Sequence, residues 1–226
     1  MRLIAPPGVY APQDDTALLA EAVCREPAMV GAQVLDIGTG TGALALLAAR
    51  CGAVGVEAVD VSARAVLAAW VNARLSGEPV RVRLGGLASV ASGRRFDVVL
   101  ANPPYVPARR GGPFERAGGA RAWNAGPDGR AALDRLCARI PGLLRPRGVL
   151  LLVQSALSGV GTTLERLAEQ GLHVDVTARR VVPFGPVLLR RSSWLAARGL
   201  IGPGDDKEEL VVIRAIRTTE CSSCSR

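Results

Sequence analysis

Gln33-Val-Leu-Asp-Ile-Gly-Thr-Gly-Thr-Gly-Ala-Leu44, taken with Phe96-Asp-Val-Val-Leu-Ala-Asn-Pro-Pro-Tyr105, decides how the rest of this chain folds. Val34, Leu35 and Ile37 read as a buried parallel strand. Gly38, Gly40 and Gly42 follow at alternate positions before an apolar helical run from Ala43 to Ala49. The pattern is strand, tight turn, helix start. Glycines at such a turn let the backbone approach a ligand without interference from Cβ. The free N–H groups of the helix start supply donors, and the Asp36 carboxylate supplies an acceptor. The ligand expected there is polar and partly positive, or a nucleoside.

The spacing Gly38-x-Gly40-x-Gly42 is shorter than the dinucleotide-binding fingerprint, and Asp36 lies inside the strand. Asp60 closes the next apolar run, Val54 to Val59, where a doubly wound fold positions a carboxylate to hold two ribose hydroxyls. This combination favours S-adenosylmethionine over a nicotinamide dinucleotide.

Working outward, Asp14 or Asp15 is expected to N-cap a helix carrying Leu18, Leu19, Ala22 and Val23 on one face. Gly52 suits the left-handed close of the helix from Ala43. Ser62 caps a helix from Ala63 to Leu75 that Gly77 ends. Val80–Leu84 alternates as a third strand, and Phe96–Leu100 is a fourth that delivers Asn102 to the carboxyl edge of the sheet. A helix is expected from about Asp128 to Leu144, with Ala132, Leu133, Leu136 and Ile140 at helical spacing. A buried strand Gly148–Val153 follows, then a helix Thr162–Gln170 ended by Gly171. His173–Val182 and Glu209–Ile216 supply the last strands, with Gly202–Lys207 as an exposed turn between them. Strands and helices trading places in this way make a parallel sheet wrapped on both sides.

With 226 residues and a 49% hydrophobic fraction, the chain can bury a real core as one domain, which excludes a disordered protein. Its net charge is +8, carried almost wholly by arginine because Lys207 is the only lysine, and this leaves nucleic acid open as a partner. An odd set of five scattered cysteines makes no disulfide framework, so the chain reads as cytoplasmic. The start, Met1-Arg-Leu-Ile-Ala-Pro-Pro, is too short and proline-broken for a signal peptide. No run approaches the roughly 18 apolar residues of a membrane span. Cys221-x-x-Cys224 lacks a second ligand pair, so no metal site is expected, and the sole histidine, His173, is given no role.

The glycine turn with its two acidic strand ends resembles the class I S-adenosylmethionine-dependent methyltransferases, and Asn102-Pro103-Pro104-Tyr105 narrows the resemblance to the amino-methyltransferases. Within these the chain is similar to the HemK-type protein-glutamine methyltransferases of the short branch that lacks a separate N-terminal domain. Val9-Tyr10-Ala11-Pro12-Gln13-Asp14-Asp15-Thr16, Val106-Pro107, and Trp123 followed by Gly126-Pro-Asp128-Gly129-Arg130 carry that similarity, which covers about residues 8 to 216. The resemblance implies an α/β, Rossmann-like fold: a doubly wound, mostly parallel seven-stranded sheet with the last strand antiparallel. It spans residues 1–217 as one methyltransferase domain, with 218–226 as a disordered tail. It also implies that Thr16, Asp36, Gly38, Gly40, Gly42, Asp60, Gly86, Leu87 and Asn102 bind S-adenosylmethionine, although Asp15-Thr16 reads equally as a helix cap. The protein substrate, exemplified by a translation release factor with its Gly-Gly-Gln loop, is expected to dock near the 103–129 loop with its Arg109, Arg110, Arg116 and Arg121. A small activating zinc-binding subunit is a further implied partner.

Methyl transfer to nitrogen needs a lone pair aimed at the sulfonium methyl, and in an amide or aromatic amine that pair is delocalised. The Asn102 side-chain oxygen and the Pro103 carbonyl can accept the two N–H hydrogens and direct the lone pair. Pro104 fixes φ, Pro103 removes a competing donor, and Tyr105 can lie against the planar acceptor. Any x-Pro-Pro can also be a plain rigid turn, but following a strand and a glycine turn it reads as catalytic. The same motif serves exocyclic amines of adenine or guanine, so a DNA or RNA amino-methyltransferase stands as the alternative. A non-catalytic cofactor-binding protein is a third reading.

That third reading rests on Gly86. The resembled family carries an acidic residue at this position, next to leucine, that accepts a hydrogen bond from the adenine amino group. A missing hydrogen bond costs about 0.5–1.5 kcal/mol, so cofactor binding is expected to be weakened and not abolished. Calorimetric titration with S-adenosylhomocysteine checks this, and absence of binding at millimolar ligand would refute it.

Overall fold

The computed structural model describes residues 3–90, 93–108 and 125–218. Seven strands among them form one sheet. In chain order they are β1 (Gln33–Ile37), β2 (Gly55–Asp60), β3 (Val80–Leu84), β4 (Phe96–Ala101), β5 (Leu144–Ser155), β6 (Leu172–Pro183) and β7 (Lys207–Arg217), arranged β3-β2-β1-β4-β5-β7-β6. β1 to β5 pair in parallel, while β7 lies antiparallel between β5 and β6, as the sequence resemblance implies. Six helices among the described residues cover the faces: α1 (Asp14–Arg25), α2 (Ala43–Arg50), α3 (Ala63–Ser76), α4 (Ala131–Leu143), α5 (Val160–Glu169) and α6 (Pro186–Ala196). β1, β4 and β5 are buried because helices lie on both sides, so Val34, Leu35, Val98 to Ala101 and Leu150 to Val153 form one continuous apolar layer.

Local chemistry accounts for most element ends. The Ser62 hydroxyl accepts from the Ala65 N–H at the start of α3, and Gly77 closes that helix with φ 73°. Gly171, with φ 77°, stops the turn after α5. At the amino edge the Asp97 carboxylate accepts from the Gln33 N–H at 2.8 Å and from Arg145 at 2.8 Å, which fastens β4 to β1 and β5. α1 is clipped across the antiparallel strands by Arg180 on Glu21. Just beyond its end, Arg214 makes a two-point pair with Glu26.

Several expectations need correction. Gln13 is the cap residue of α1 and makes no side-chain cap bond; Asp14 and Asp15 are already helical, because the Asp15 carboxylate is taken up by partners inside the fold. Asp128 likewise stands before α4, accepting from the Arg130 N–H, and Leu144 belongs to β5. β5 starts before Gly148: Leu144 pairs with Phe96, and the chain then bulges through Arg147, which has φ 63°, before the ladder resumes at Val149. α5 begins at Val160, two residues early. α6 is absent from the sequence expectation. It follows Pro186 and packs Leu188 and Leu195 with Phe184 and Ile201 in a small core of their own. Arg109, Arg110, Arg116, Arg121, Trp123 and the pair Cys221/Cys224 lie outside the described residues. Thr218 does not, and its hydroxyl donates to the Gly171 carbonyl at 2.9 Å.

Gly42 has φ 85° and sits against α3, where an added Cβ would stand 3.2 Å from the Ala69 Cβ; Gly77 has similar φ and open space around it. Gly42→Ala is expected to cost about 1–3 kcal/mol, more than Gly77→Ala, as read from urea midpoints of the two variants.

Candidate functional site

The carboxyl edge of β1, β2 and β4 gathers the polar residues singled out from sequence. Gly38, Gly40 and Gly42 all have positive φ, 72°, 55° and 85°. The Gly38 and Thr39 N–H groups both donate to the Val59 carbonyl, at 2.9 and 3.1 Å, drawing the turn over the end of β2. Asp60 completes the closure: one oxygen accepts from the Gly40 N–H at 3.0 Å and the other from the Ser62 N–H at 2.9 Å. Asp36 lies beneath, 1% exposed, accepting from the Thr39 hydroxyl at 2.6 Å; burial pushes its carboxyl up to about 6. It braces the turn from inside.

The chain before α1 crosses above this turn. The Tyr10 carbonyl lies 3.5 Å from where a Gly40 Cβ would stand, and Ile4 is tied to α3 by two hydrogen bonds with Asn72. Tyr10 then reaches Asp15, its hydroxyl donating at 2.7 Å. On the other side Tyr105 donates to the same carboxylate oxygen at 3.0 Å. Desolvation, reinforced by Asp15, holds both phenols well above their ordinary range, so they remain donors. Asp15 also accepts from the Thr16 N–H and hydroxyl, and the Thr16 oxygen in turn accepts from Asn102 Nδ2 at 3.3 Å. Thr16, Asn102 and Tyr105 are thus brought together around a carboxylate that the sequence reading treats only as a helix cap. Tyr105 is 7% exposed and anchored by its hydroxyl, more a fixed wall than a free platform.

Three other segments support the loop after β4. A Cβ on Gly129 would collide with the Tyr105 carbonyl, so only glycine lets this turn lie against the motif. The Ala108 N–H donates to Gly126 at 2.8 Å. Arg191 of α6 donates to the Val106 and Pro107 carbonyls at 2.9 and 3.0 Å, and burial lowers its pKa. Arg130 serves packing: 8% exposed, it reaches the Ser158 and Gly159 carbonyls, Thr163 and Asp134.

Gly86 and Leu87 follow β3 beside Asp60, as expected, and no side-chain acceptor stands at position 86. A Cβ there would meet Val61 Cγ1 at 2.9 Å, while the Ser89 hydroxyl is turned onto the Gly86 carbonyl at 2.7 Å. Val61, 53% exposed, supplies an apolar surface next to the Asp60 carboxylate. Leu87 packs onto the main core.

Glu208 is a site residue that sequence reasoning missed. It is the second residue of β7, which runs backwards, so this end of the strand arrives at the carboxyl edge. Glu208 is 8% exposed and its Oε2 has no partner among the described residues. Desolvation, with a contribution from Asp15 and against a hydrogen bond from Ser155, raises its carboxyl to about 7 from 4.5. A carboxyl that keeps its proton longer when folded weakens the protein as pH rises. The penalty starts above 4.5 and is complete above about 7, amounting to about 3 kcal/mol at about 1.36 kcal/mol per unit. Urea melts of the ligand-free protein from pH 4.5 to 8 should show wild type losing that much relative to Glu208→Gln; a pH-independent difference between the two would refute it. Asp36 acts in the same direction but is common to both proteins and cancels.

Residues 1–111 match the family model described as the methyltransferase small domain. A putative protein N5-glutamine methyltransferase of Methanocaldococcus jannaschii is 33% identical over 183 residues, covering 81% of this chain and 90% of that protein. Release factor glutamine methyltransferases of Rhodospirillum rubrum and Moorella thermoacetica are each 39% identical, over 62% and 65% of this chain, which spans only 45% and 54% of their length. Among solved structures, the E. cuniculi Mtq2–Trm112 complex, responsible for methylation of the eRF1 translation termination factor, matches with a TM-score of 0.65 at 23% identity. That match covers 93% of this chain and 99% of that one and is a likeness of fold. An identity of 33% sustained along 90% of the archaeal protein makes this chain a member of the protein-glutamine methyltransferase family.

Proposed function

We propose that this chain transfers the methyl group of S-adenosylmethionine to the side-chain amide nitrogen of a glutamine in a protein, a translation release factor being the substrate that its relatives' names suggest. The observation that carries this reading is the pairing of Asn102 Nδ2 with Thr16, which leaves the amide oxygen of Asn102, without a partner among the described residues, to receive an N–H. The residues fit the donor: three left-handed glycines open the backbone, Asp60 retains lone pairs for ribose hydroxyls, and Val61 offers an apolar face to a base. When bound there, S-adenosylmethionine supplies an electrophilic methyl on a positive sulfur.

The protein's own part is positioning. Asn102 Oδ1 and the Pro103 carbonyl accept the two hydrogens of the acceptor NH2 and turn its lone pair toward the donor. Tyr105, held by Asp15, walls the seat. The substrate docks by the 103–129 loop, whose two sides are joined by the Ala108–Gly126 bond and whose first residues are held by Arg191. For a small activating subunit the fold offers apolar surface beside the edge strand β3, where Leu67, Trp70 and Leu84 are 62%, 47% and 60% exposed.

The net charge of +8 supports one alternative, an amino-methyltransferase acting on adenine or guanine in nucleic acid. Labelled S-adenosylmethionine offered with a release factor in one reaction and an oligonucleotide in another separates the two, the factor being labelled on glutamine in the expected outcome. Asn102→Ala is expected to lower turnover by at least about 100-fold while leaving S-adenosylhomocysteine affinity within about threefold. Wild-type turnover in that variant would end the proposed role.

A further inference from the structure

An amide has two ends of nearly equal size, one that accepts and one that donates, so a side-chain amide used as an acceptor must be told which way to face. At Asn102 the instruction comes from outside its own strand. Asp15, 5% exposed in the first turn of α1, can only accept as a carboxylate, and four donors converge on it: the Tyr10 and Tyr105 hydroxyls at 2.7 and 3.0 Å, the Thr16 hydroxyl at 3.1 Å and the Thr16 N–H. Thr16 has one hydroxyl proton, and Asp15 takes it. The Thr16 oxygen can then offer Asn102 only a lone pair, so Asn102 must present its NH2 end to it at 3.3 Å.

We propose that Asp15 is a positioning residue for methyl transfer: acting through the Thr16 hydroxyl it fixes the Asn102 amide with its oxygen toward the acceptor, and by holding Tyr105 it fixes the other end of Asn102-Pro-Pro-Tyr105. This rests on the reading that Asn102 receives the acceptor's N–H. Without the carboxylate, the Thr16 proton is free to point at Asn102 Oδ1. The amide can then turn over and meet the incoming N–H groups with N–H groups of its own. Acceptor binding elsewhere on the surface is untouched by that reversal, so the damage falls on kcat.

The location of Asp15 suits such a role. α1 is held across β6 by Arg180 on Glu21, and the adjoining turn is held to β7 by Arg214 on Glu26, so the carboxylate sits on a fixed element independent of β4. Asp15 and Tyr105 are 90 residues apart in sequence.

The test uses the full chain, purified S-adenosylmethionine and the acceptor labelled by the wild-type protein, with S-adenosylhomocysteine titrated by calorimetry. Asp15→Asn and Thr16→Val are each expected to lower kcat by at least 30-fold, with the acceptor KM within about threefold. Thr16→Ser, which keeps the hydroxyl, should recover at least tenfold of the loss in Thr16→Val. A purely structural or cofactor-binding role for Thr16 would instead move KM or S-adenosylhomocysteine affinity together with kcat, and that result overturns the proposal. So does a Thr16→Val variant that keeps a third or more of wild-type kcat. Should Asp15→Asn also lose S-adenosylhomocysteine binding through misfolding, the Thr16 pair decides alone by the same criteria. If Asn102→Ala turns over like wild type, the acceptor reading itself fails; if Asn102→Ala is inactive and Thr16→Val is not, only the role of Asp15 falls.

Discussion

The register of the parallel ladders around β1 is the constraint on which the site depends. Ile37 stands level with Val59 on one side and Ala101 on the other. The next residue of each strand is therefore Gly38, Asp60 and Asn102, three groups emerging side by side at one edge of the sheet. No loop has to carry them there. Because side chains alternate faces along a strand, a slip of one residue would send the neighbours of each to the wrong side and bury Asn102 or strand Asp60 in solvent. The two-sided apolar burial of β1 and β4 fixes that register, so the hydrophobic core and the polar edge are set by the same pairing.

That edge concentrates negative charge in a chain whose net charge is +8. Asp15, Asp36, Asp60 and Glu208 are all at most 8% exposed. Each of the three aspartates is compensated by donors: tyrosine and threonine hydroxyls for Asp15, Thr39 for Asp36, backbone N–H groups for Asp60. These donors are neutral, so the local field stays negative. Glu208 is less well provided for, which is why burial raises its pKa toward neutrality. A negative edge with a backbone turn that leaves room for a ligand suits a positively charged group better than one bearing phosphates.

Periodic features of the sequence survived the comparison with structure better than side-chain convergence did. Four buried strands and the glycine turn were legible because two-sided burial leaves unbroken apolar runs and because positive φ demands glycine. β5 was read four residues short at its start and two at its end, the former because Pro146-Arg147-Gly148 looks like a loop and the sheet absorbs it as a bulge. α6 was missed because only Leu188 and Leu195 are fully buried along it, too sparse a stripe to register between two proline- and glycine-rich segments. Asp15 was visible as a residue and invisible as a hub, since the tyrosine that joins it from β4 is 90 positions away and a local cap explains the same aspartate equally well. Glu208 carried no signal, because its placement follows from the reversed direction of β7 and from nothing in its neighbours.

The dipeptide Pro103-Pro104 explains why so many separate segments converge on the loop after β4. Neither residue has an N–H to donate, so this part of the chain cannot be held by extending the β4 ladder, and its carbonyls must be aimed by attachments at either end. Upstream the attachment is the Asn102 side chain on Thr16; downstream it is the Tyr105 hydroxyl on Asp15 and the Val106 and Pro107 carbonyls on Arg191. Gly129 closes the remaining side by lying against the Tyr105 backbone. α1 thus supplies two fixed points and α6 and the turn before α4 supply the others, and the carbonyl of Pro103 has no donor among the described residues. A segment braced from three directions would meet what the proposed transfer asks of it, two simultaneous N–H contacts set up before the substrate arrives.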